Sequence, residues 1–299
     1  MRRFRAALLP IAVAVAVVCT AERPAAWGFE AHRFIADRAI DLLPPELQPY
    51  FARHRAFIAE HAIDPDLWRT AGFTDEPPQH FLDLDAFGPP PFDALPRDRQ
   101  QAVARFGLDM VQKNGLLPWR VEEMYGRLVR AFGDVKAVRP YGRDNVKYLS
   151  AVIAHYVSDA HVPLHAVVNY DGQLTNQHGV HSRFESALFE RYRDKLNIRP
   201  SATRLTTTPR DFIFDTLITS AGLVDPLLAA DREALGSGDV YDTAYFDRFF
   251  AKAGPLVERR ISHAIAATAA VITHAWEEAG KPSMADVPMP ERRRRPTAQ

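Results

Sequence analysis

The chain has 299 residues, 47% of them apolar, with 37 basic and 37 acidic side chains and one cysteine. Balanced charge excludes a general polyanion-binding field, a lone cysteine excludes a disulfide framework, and the apolar fraction suits a chain that buries a core. No shift in composition marks a domain boundary, so one domain is expected.

The N-terminus reads MRRFR, then an apolar run from Ala7 to Cys19, then a short polar stretch containing Pro24. A basic start, a short apolar core and small residues beyond it describe a signal peptide over residues 1–26, and the run is too short to span a bilayer, which takes about 20 residues. The protein is expected to be exported, to the periplasm or out of the cell, with no transmembrane segment in the mature chain. Cleavage after Ala26 would make Trp27 the first residue; cleavage after Ala21 fits the small-residue rule as well or better, and both stay open. Cys19 lies in the removed part, and Val18 before it argues against a lipoprotein signal. Removing residues 1–26 takes four arginines and one glutamate, which leaves a net charge of −3. Arg292 to Arg295 lie among prolines without apolar periodicity, so residues 286–299 are expected to be a disordered basic tail.

Between these ends the periodicity is helical. His32 to Leu43 carries Phe34, Ile35, Ala39, Ile40 and Leu43 at helical spacing and stops at Pro44-Pro45. A second helix is expected to about Glu60. His61 to Pro96, rich in proline, aspartate and glycine, reads as an ordered loop region with at most short helical turns. Helices are expected next over 97–113 and 119–132. Asp144 is a candidate N-cap for a helix lined by Val146, Leu149, Ile153, Tyr156 and Val157, which Pro163 ends or kinks. A loop from Asn169 to Gly179 leads into a helix bearing His181 and Glu185, and further amphipathic segments lie at 211–230, 244–253 and 256–279. With no βαβ pattern and no internal repeat, the predicted class is all-α, a single multi-helix bundle over residues 27–285.

The stretch from Lys147 to Glu185 contains HYVSDAHVPLH and then GVHSRFE. His155 and Asp159 stand four residues apart, as do His181 and Glu185, so each pair shares one side of a helix, and His165 lies six residues after Asp159. Imidazole nitrogen and carboxylate oxygen are the usual ligands of catalytic zinc. His32 in WGFEAH, Asp66 in DPDLWR and His80 in QHFLDLD join this set.

In order, W-x4-H, D-x13-H, H-x3-D-x5-H and H-x3-E resemble the motifs of a superfamily that comprises zinc-dependent phospholipase C and the single-strand-specific zinc nucleases. The resemblance covers the chain from Trp27 to Glu185 by motif. It implies an all-helical secreted phosphodiesterase, a hydrolase of ester bonds, with about three zinc ions. Asp66, His80, His155 and Asp159 would hold one ion; a bridging Asp159, His32 and the amino and carbonyl groups of a terminal Trp27 would hold its neighbour; His165, His181 and Glu185 would hold a third. A carboxylate has two oxygens and can serve two cations, and an α-amine ligates a metal only as a free, unprotonated terminus. Asp66 would orient or deprotonate the attacking water, and Arg69, one turn on, would clamp a phosphoryl oxygen. His161, His178 and Asp64 would orient ligands.

The substrate branch is divided. Short W-x4-H spacing, D-x-x-R and Phe81 after the ligand histidine look like the nucleases, in which that aromatic stacks a base. HSRFE ends in glutamate, as in the phospholipases. Phe87 and Phe92 in the proline-rich loop are candidates for touching lipid. A phospholipid or single-stranded nucleic acid is thus the expected partner, and no stable protein partner is implied. The alternative reading is a non-catalytic, zinc-stabilised binding module of the envelope, distinguished by metal sites closed by four protein ligands.

Overall fold

A computed structural model describes residues 27–285 of the chain. The expected signal peptide, its cleavage point and the expected basic tail lie outside the described residues. Among the described residues every regular element is helical.

In chain order the α-helices are α1 (Phe29–Ala39), α2 (Gln48–Arg53), α3 (Arg55–His61), α4 (Asp64–Thr70), α5 (Arg99–Phe106), α6 (Leu108–Lys113), α7 (Leu117–Lys136) and α8 (Gly142–Asp159). They continue as α9 (Val180–Ser182), α10 (Leu188–Tyr192), α11 (Pro209–Ala221), α12 (Val224–Leu235) and α13 (Thr243–Glu278). A π-helical turn, Arg183–Ala187, joins α9 to α10.

Helix α8 lies at the centre, packed against α1, α3, α7 and α13. Its second half, Ser150 to Asp159, is buried without interruption. A helix buried all round is normally apolar all round, so the polar residues His155, Ser158 and Asp159 in that half need partners in the interior. Helix α13 forms the long wall beside it, burying Val257, Ile261, Ile265, Thr268, Val271 and Ile272.

Several boundaries differ from the sequence expectation. Asp144 is not the cap of α8: the helix starts at Gly142 after Tyr141 in the left-handed region (φ 65°), and Asp144 sits in the first turn, paired with Lys147 at 2.8 Å. The reason is contact rather than capping, because a Cβ at Gly142 would come within 2.9 Å of the Val135 backbone nitrogen on α7. The helix expected over 97–113 starts at Arg99, where the Asp98 carboxylate accepts from the Gln101 N–H at 2.9 Å. It breaks at Gly107, whose φ of 86° suits glycine. Segments 244–253 and 256–279 are one helix running through Pro255. The loop region 61–96 contains α4, a true helix started by Asp64-Pro65.

Helices α11 and α12 together, Pro209–Leu235, are long and apolar enough by length and composition to cross a membrane. They are separate helices that meet at Gly222-Leu223 and pack on α7 and α13, as core helices of a globular domain do. Phe87 and Phe92 are 5% and 8% exposed and belong to the core, so they offer lipid no surface.

Candidate metal centre

Helices α1, α4 and α8 and the turn Pro77–His80 each deliver part of one cluster. His32, Asp66, His80, His155 and Asp159 are all buried. The Asp159 carboxylate divides its oxygens. Oδ1 lies 3.4 Å from His32 Nε2, whereas Oδ2 lies 3.0 Å from His80 Nδ1 and 3.3 Å from His155 Nε2. One oxygen towards each of two imidazole groups is the arrangement of a bridging carboxylate.

The far nitrogens decide which atoms face inward. His155 Nδ1 is 2.8 Å from the Ala62 carbonyl, which only accepts, so this nitrogen carries a proton and Nε2 is the atom turned to the cluster. His32 Nδ1 is 2.8 Å from the Ser158 hydroxyl, whose own proton goes to the Ala154 and His155 carbonyls. His32 therefore donates from Nδ1 and also turns Nε2 inward. His80 Nε2 faces Glu76 Oε1 at 3.5 Å, leaving Nδ1 for the cluster. Asp66 joins on the α4 side, with Oδ1 3.9 Å from His80 Nδ1, and His32, Asp66 and His155 form a close set of donors. The His32 and His155 rings stack at 3.9 Å, which draws His32 nearer the first set than the resemblance implies.

A second cluster is built the same way. His165 Nδ1 donates to the His80 carbonyl at 2.7 Å and His181 Nδ1 to the Tyr170 carbonyl at 2.9 Å. Their Nε2 atoms then stand 3.1 Å apart, with Glu185 Oε2 at 2.8 Å from His181 Nε2 and 4.0 Å from His165 Nε2.

These positions suit a cation. Four ligands about 2.0–2.1 Å from a tetrahedral zinc stand about 3.3 Å apart, and the donor separations in both clusters fall near that value. Buried polar atoms with no hydrogen-bond partner include both Asp66 oxygens and Glu185 Oε1, while His32 Nε2 and Asp159 Oδ1 have only each other, at 3.4 Å. Unsatisfied buried polar groups are costly, and in this chain many of them converge on the predicted ligands.

The protonation pattern agrees. Burial would raise Asp159, but His155, His32 and His80 together hold it well below the ordinary carboxylate value. Burial would lower His80, yet hydrogen bonds to Asp159 and Glu76 push it up to about 9. Burial pushes Glu185 up to about 7. His181 is raised although burial opposes it, because Glu185 is adjacent. Without a cation, protons supply the positive charge.

Arg69 is on α4 with Nη2 3.6 Å from Asp66 Oδ1, and its side chain is partly exposed. Trp27 is fully buried, and its indole N–H donates to the Ser158 carbonyl at 3.0 Å, one residue before Asp159. Phe81 is 8% exposed, and Gly115 lies so close to it that a Cβ there would fall 2.7 Å from the Phe81 ring. Little of the ring is left for a base to stack on. Asp64 accepts from His61 Nδ1 at 2.9 Å and the Tyr148 hydroxyl at 3.1 Å, tying α4 to α8. His161 donates to the Val157 carbonyl at 2.8 Å, and His178 is exposed. None of these three makes a hydrogen bond to a ligand among the described contacts.

Four further residues matter to the site and carry no ligand-type spacing: Glu76, Ser158, Asp171 and Asp231. Glu76 accepts from the Tyr156 hydroxyl and stands 3.4 Å from Arg120 Nη2; His80 first, then Tyr156 and Arg120, hold it below its ordinary pKa despite burial. Asp171 accepts from the Gly179 N–H at 3.0 Å and the His181 N–H at 3.4 Å. Asp231 on α12 anchors Arg183 of the π-turn at 3.0 Å, with Tyr245 and Gln177 on the same carboxylate. The one sequence signal among them is Ser158 itself, a small polar residue beside Asp159 in an otherwise apolar stretch of helix.

No protein-family model matches the chain, and no curated protein matches it. Among solved structures it is similar to the alpha-toxin of Clostridium perfringens from an avian strain, with a TM-score of 0.54 at 12% identity over 89% of this chain and 67% of that one. The alpha toxin of Clostridium absonum gives a TM-score of 0.47 at 13% identity, over 87% and 66% of the two chains. The chain has the fold of the perfringens alpha-toxin. It spans about two thirds of the length of these toxins. The all-helical architecture expected from the motifs is thereby met by a solved fold.

Proposed function

We propose that the chain is a zinc-dependent hydrolase of phosphodiester bonds. The observation that carries this reading is the convergence of buried imidazole nitrogens and carboxylate oxygens at zinc-like spacing, both Asp66 oxygens lacking a hydrogen-bond partner, beside Arg69 one turn on from Asp66. His80, His155, Asp159 and Asp66 would hold one ion; Asp159 and His32, with the backbone of a terminal Trp27, its neighbour; His165, His181 and Glu185 the third. When bound, zinc lowers the pKa of a water towards neutrality and neutralises charge on phosphoryl oxygens. Asp66 accepts a proton from the attacking water, and the Arg69 guanidinium donates to a non-bridging phosphoryl oxygen. The cluster of His165, His181 and Glu185 offers three protein donors. Three protein donors among the described residues is the number of a catalytic zinc site, which favours an enzyme at this cluster, whereas the four donors proposed for the first ion do not separate the two readings.

Three observations favour a phospholipid over single-stranded nucleic acid. The last motif ends in Glu185, the phospholipase form. Phe81 has little free ring. Leu67 and Phe73, 42% and 61% exposed, flank Asp66 and Arg69 and give the site an apolar border.

The test is metal content and N-terminal mass on protein exported by its own signal peptide, then assay on phosphatidylcholine vesicles, a soluble phosphodiester and single-stranded DNA. About three zinc ions, a Trp27 terminus and vesicle cleavage are expected. Leu67→Ser with Phe73→Ser should cut vesicle cleavage about tenfold or more while sparing the soluble ester. One zinc or none would overturn the assignment, and cleavage of DNA alone would reverse the choice of substrate.

A further inference from the structure

Helix α11, the Asn197–Thr203 segment and the middle of α13 enclose a solvent-facing cavity of about 800 Å³, lined by none of the proposed metal ligands. Its floor holds Arg260, which is 2% exposed. One edge of that guanidinium serves the end of α8: Nε donates to the His161 carbonyl at 2.8 Å, and Nη2 to the Ser220 hydroxyl at 2.6 Å, which passes its proton to the Ala160 carbonyl. The other nitrogen, Nη1, has no acceptor among the described residues and is not closed off from solvent, and no carboxylate pairs with Arg260. Burial and the neighbouring Arg259 lower its pKa to about 10. A buried charge is normally paired, because an uncompensated one is expensive.

The surroundings add positive charge. Exposed Arg259 and Arg199 line the same cavity, and Arg199 is steered by its Nε donating to Asn197 Oδ1 at 2.7 Å and its backbone N–H to Ser262 Oγ at 3.0 Å. Of the two carboxylates on the wall, Asp215 is paired with a cation outside the cavity and Glu258 holds a backbone N–H of the wall itself. Asp215 binds Arg97 at 2.5 Å, and Glu258 accepts from the Asn197 N–H at 2.8 Å. Phe212, Pro255 and Ala266 supply apolar wall. The volume is that of a small-molecule site, not of a bare ion.

We propose that this cavity binds a small organic phosphate, its anionic group against Arg260, Arg259 and Arg199 and its organic part against the apolar wall. Guanidinium forks match the several oxygens of a phosphate better than a single carboxylate edge uses them. This site is separate from the metal centre, and its existence does not depend on the reaction proposed there.

The experiment titrates zinc-loaded protein with phenylphosphonate, which cannot be hydrolysed as an ester, and with inorganic phosphate, monitoring amide chemical shifts of residues 199–203 and 259–263. Saturable shifts at both segments are expected, with phenylphosphonate binding more tightly than phosphate. Arg199→Gln with Arg259→Gln, both on the surface and both outside the proposed catalytic machinery, should weaken binding about tenfold, the loss of one charge-assisted hydrogen bond or more. Absence of saturable shifts there, equal shifts from sodium chloride at matched ionic strength, or unchanged affinity in the double variant would each overturn the site and leave Arg260 as a cap on α8 alone.

Discussion

An imidazole has two nitrogens and can give a cation only one of them, so each ligand histidine needs a second partner that fixes its tautomer. In this chain three of the second partners are backbone carbonyls: Ala62 for His155, His80 for His165 and Tyr170 for His181. His32 and His80 use side chains instead, Ser158 and Glu76, and of these only Glu76 is charged. The pKa of about 9 at His80 makes a signed prediction. At neutral pH the metal-free protein carries a proton there that zinc must displace, so zinc affinity should rise with pH and level off near 9, and metal uptake should release protons. Calorimetry at about pH 7.5, one unit or more below that pKa, in two buffers of different ionisation enthalpy measures the release; equal heats would contradict it. The histidines that converge in the two clusters were singled out in the sequence by their spacing and order. Glu76 was not, because its role depends on Tyr156 and Arg120, which lie 80 and 44 residues away.

Among the elements, the π-turn Arg183–Ala187 sets the geometry of the second cluster. A π-turn inserts one residue into a helix and re-aims the side chains beyond it, and such turns are frequent at functional sites. The start of α1 rests on this turn. A Cβ at Gly28 would meet Ser186 Oγ at 2.5 Å and Ser186 Cα at 3.2 Å, and the Trp27 ring lies 5.9 Å from that of Phe184. Gly28→Ala should therefore cost about 1–3 kcal/mol of stability, the usual cost of overpacking, and weaken metal binding at the site proposed for Glu185. Pairing it with Ser186→Gly should restore both, measured by denaturant titration and metal content. H-x3-E was legible as a helical pair, and the π register was not, since no local signal distinguishes it from an α-turn. The helix α4 was hidden by its proline and aspartate content, although Asp-Pro at a helix start is what places Asp66 and Arg69 on adjacent turns.

For the whole molecule, the buried cluster joins segments from α1 to the π-turn through side chains that repel or lack partners without a cation. Chelation should lower the melting temperature by about 10 °C or more, since metal bound only by the folded state contributes its binding free energy to stability. A scan with and without chelator measures this, and an unchanged transition would mean that the clusters are satisfied by protons alone.

The sequence by itself determined the helical class, because apolar residues recur at helical spacing through most of the chain, and it determined the order of the candidate ligands, because a four-residue interval puts two side chains on one helix face whatever surrounds it. Tertiary structure alone decided which of these side chains meet. His32, Asp66, His80 and His155 are separated by loops whose paths no local pattern encodes, and they converge because the second half of α8 is buried on all sides and the other segments must pack around it. The cavity floor at Arg260 was likewise invisible, since an arginine in an apolar helix reads as a solvated side chain until the packing of α8 and α11 against it removes the solvent.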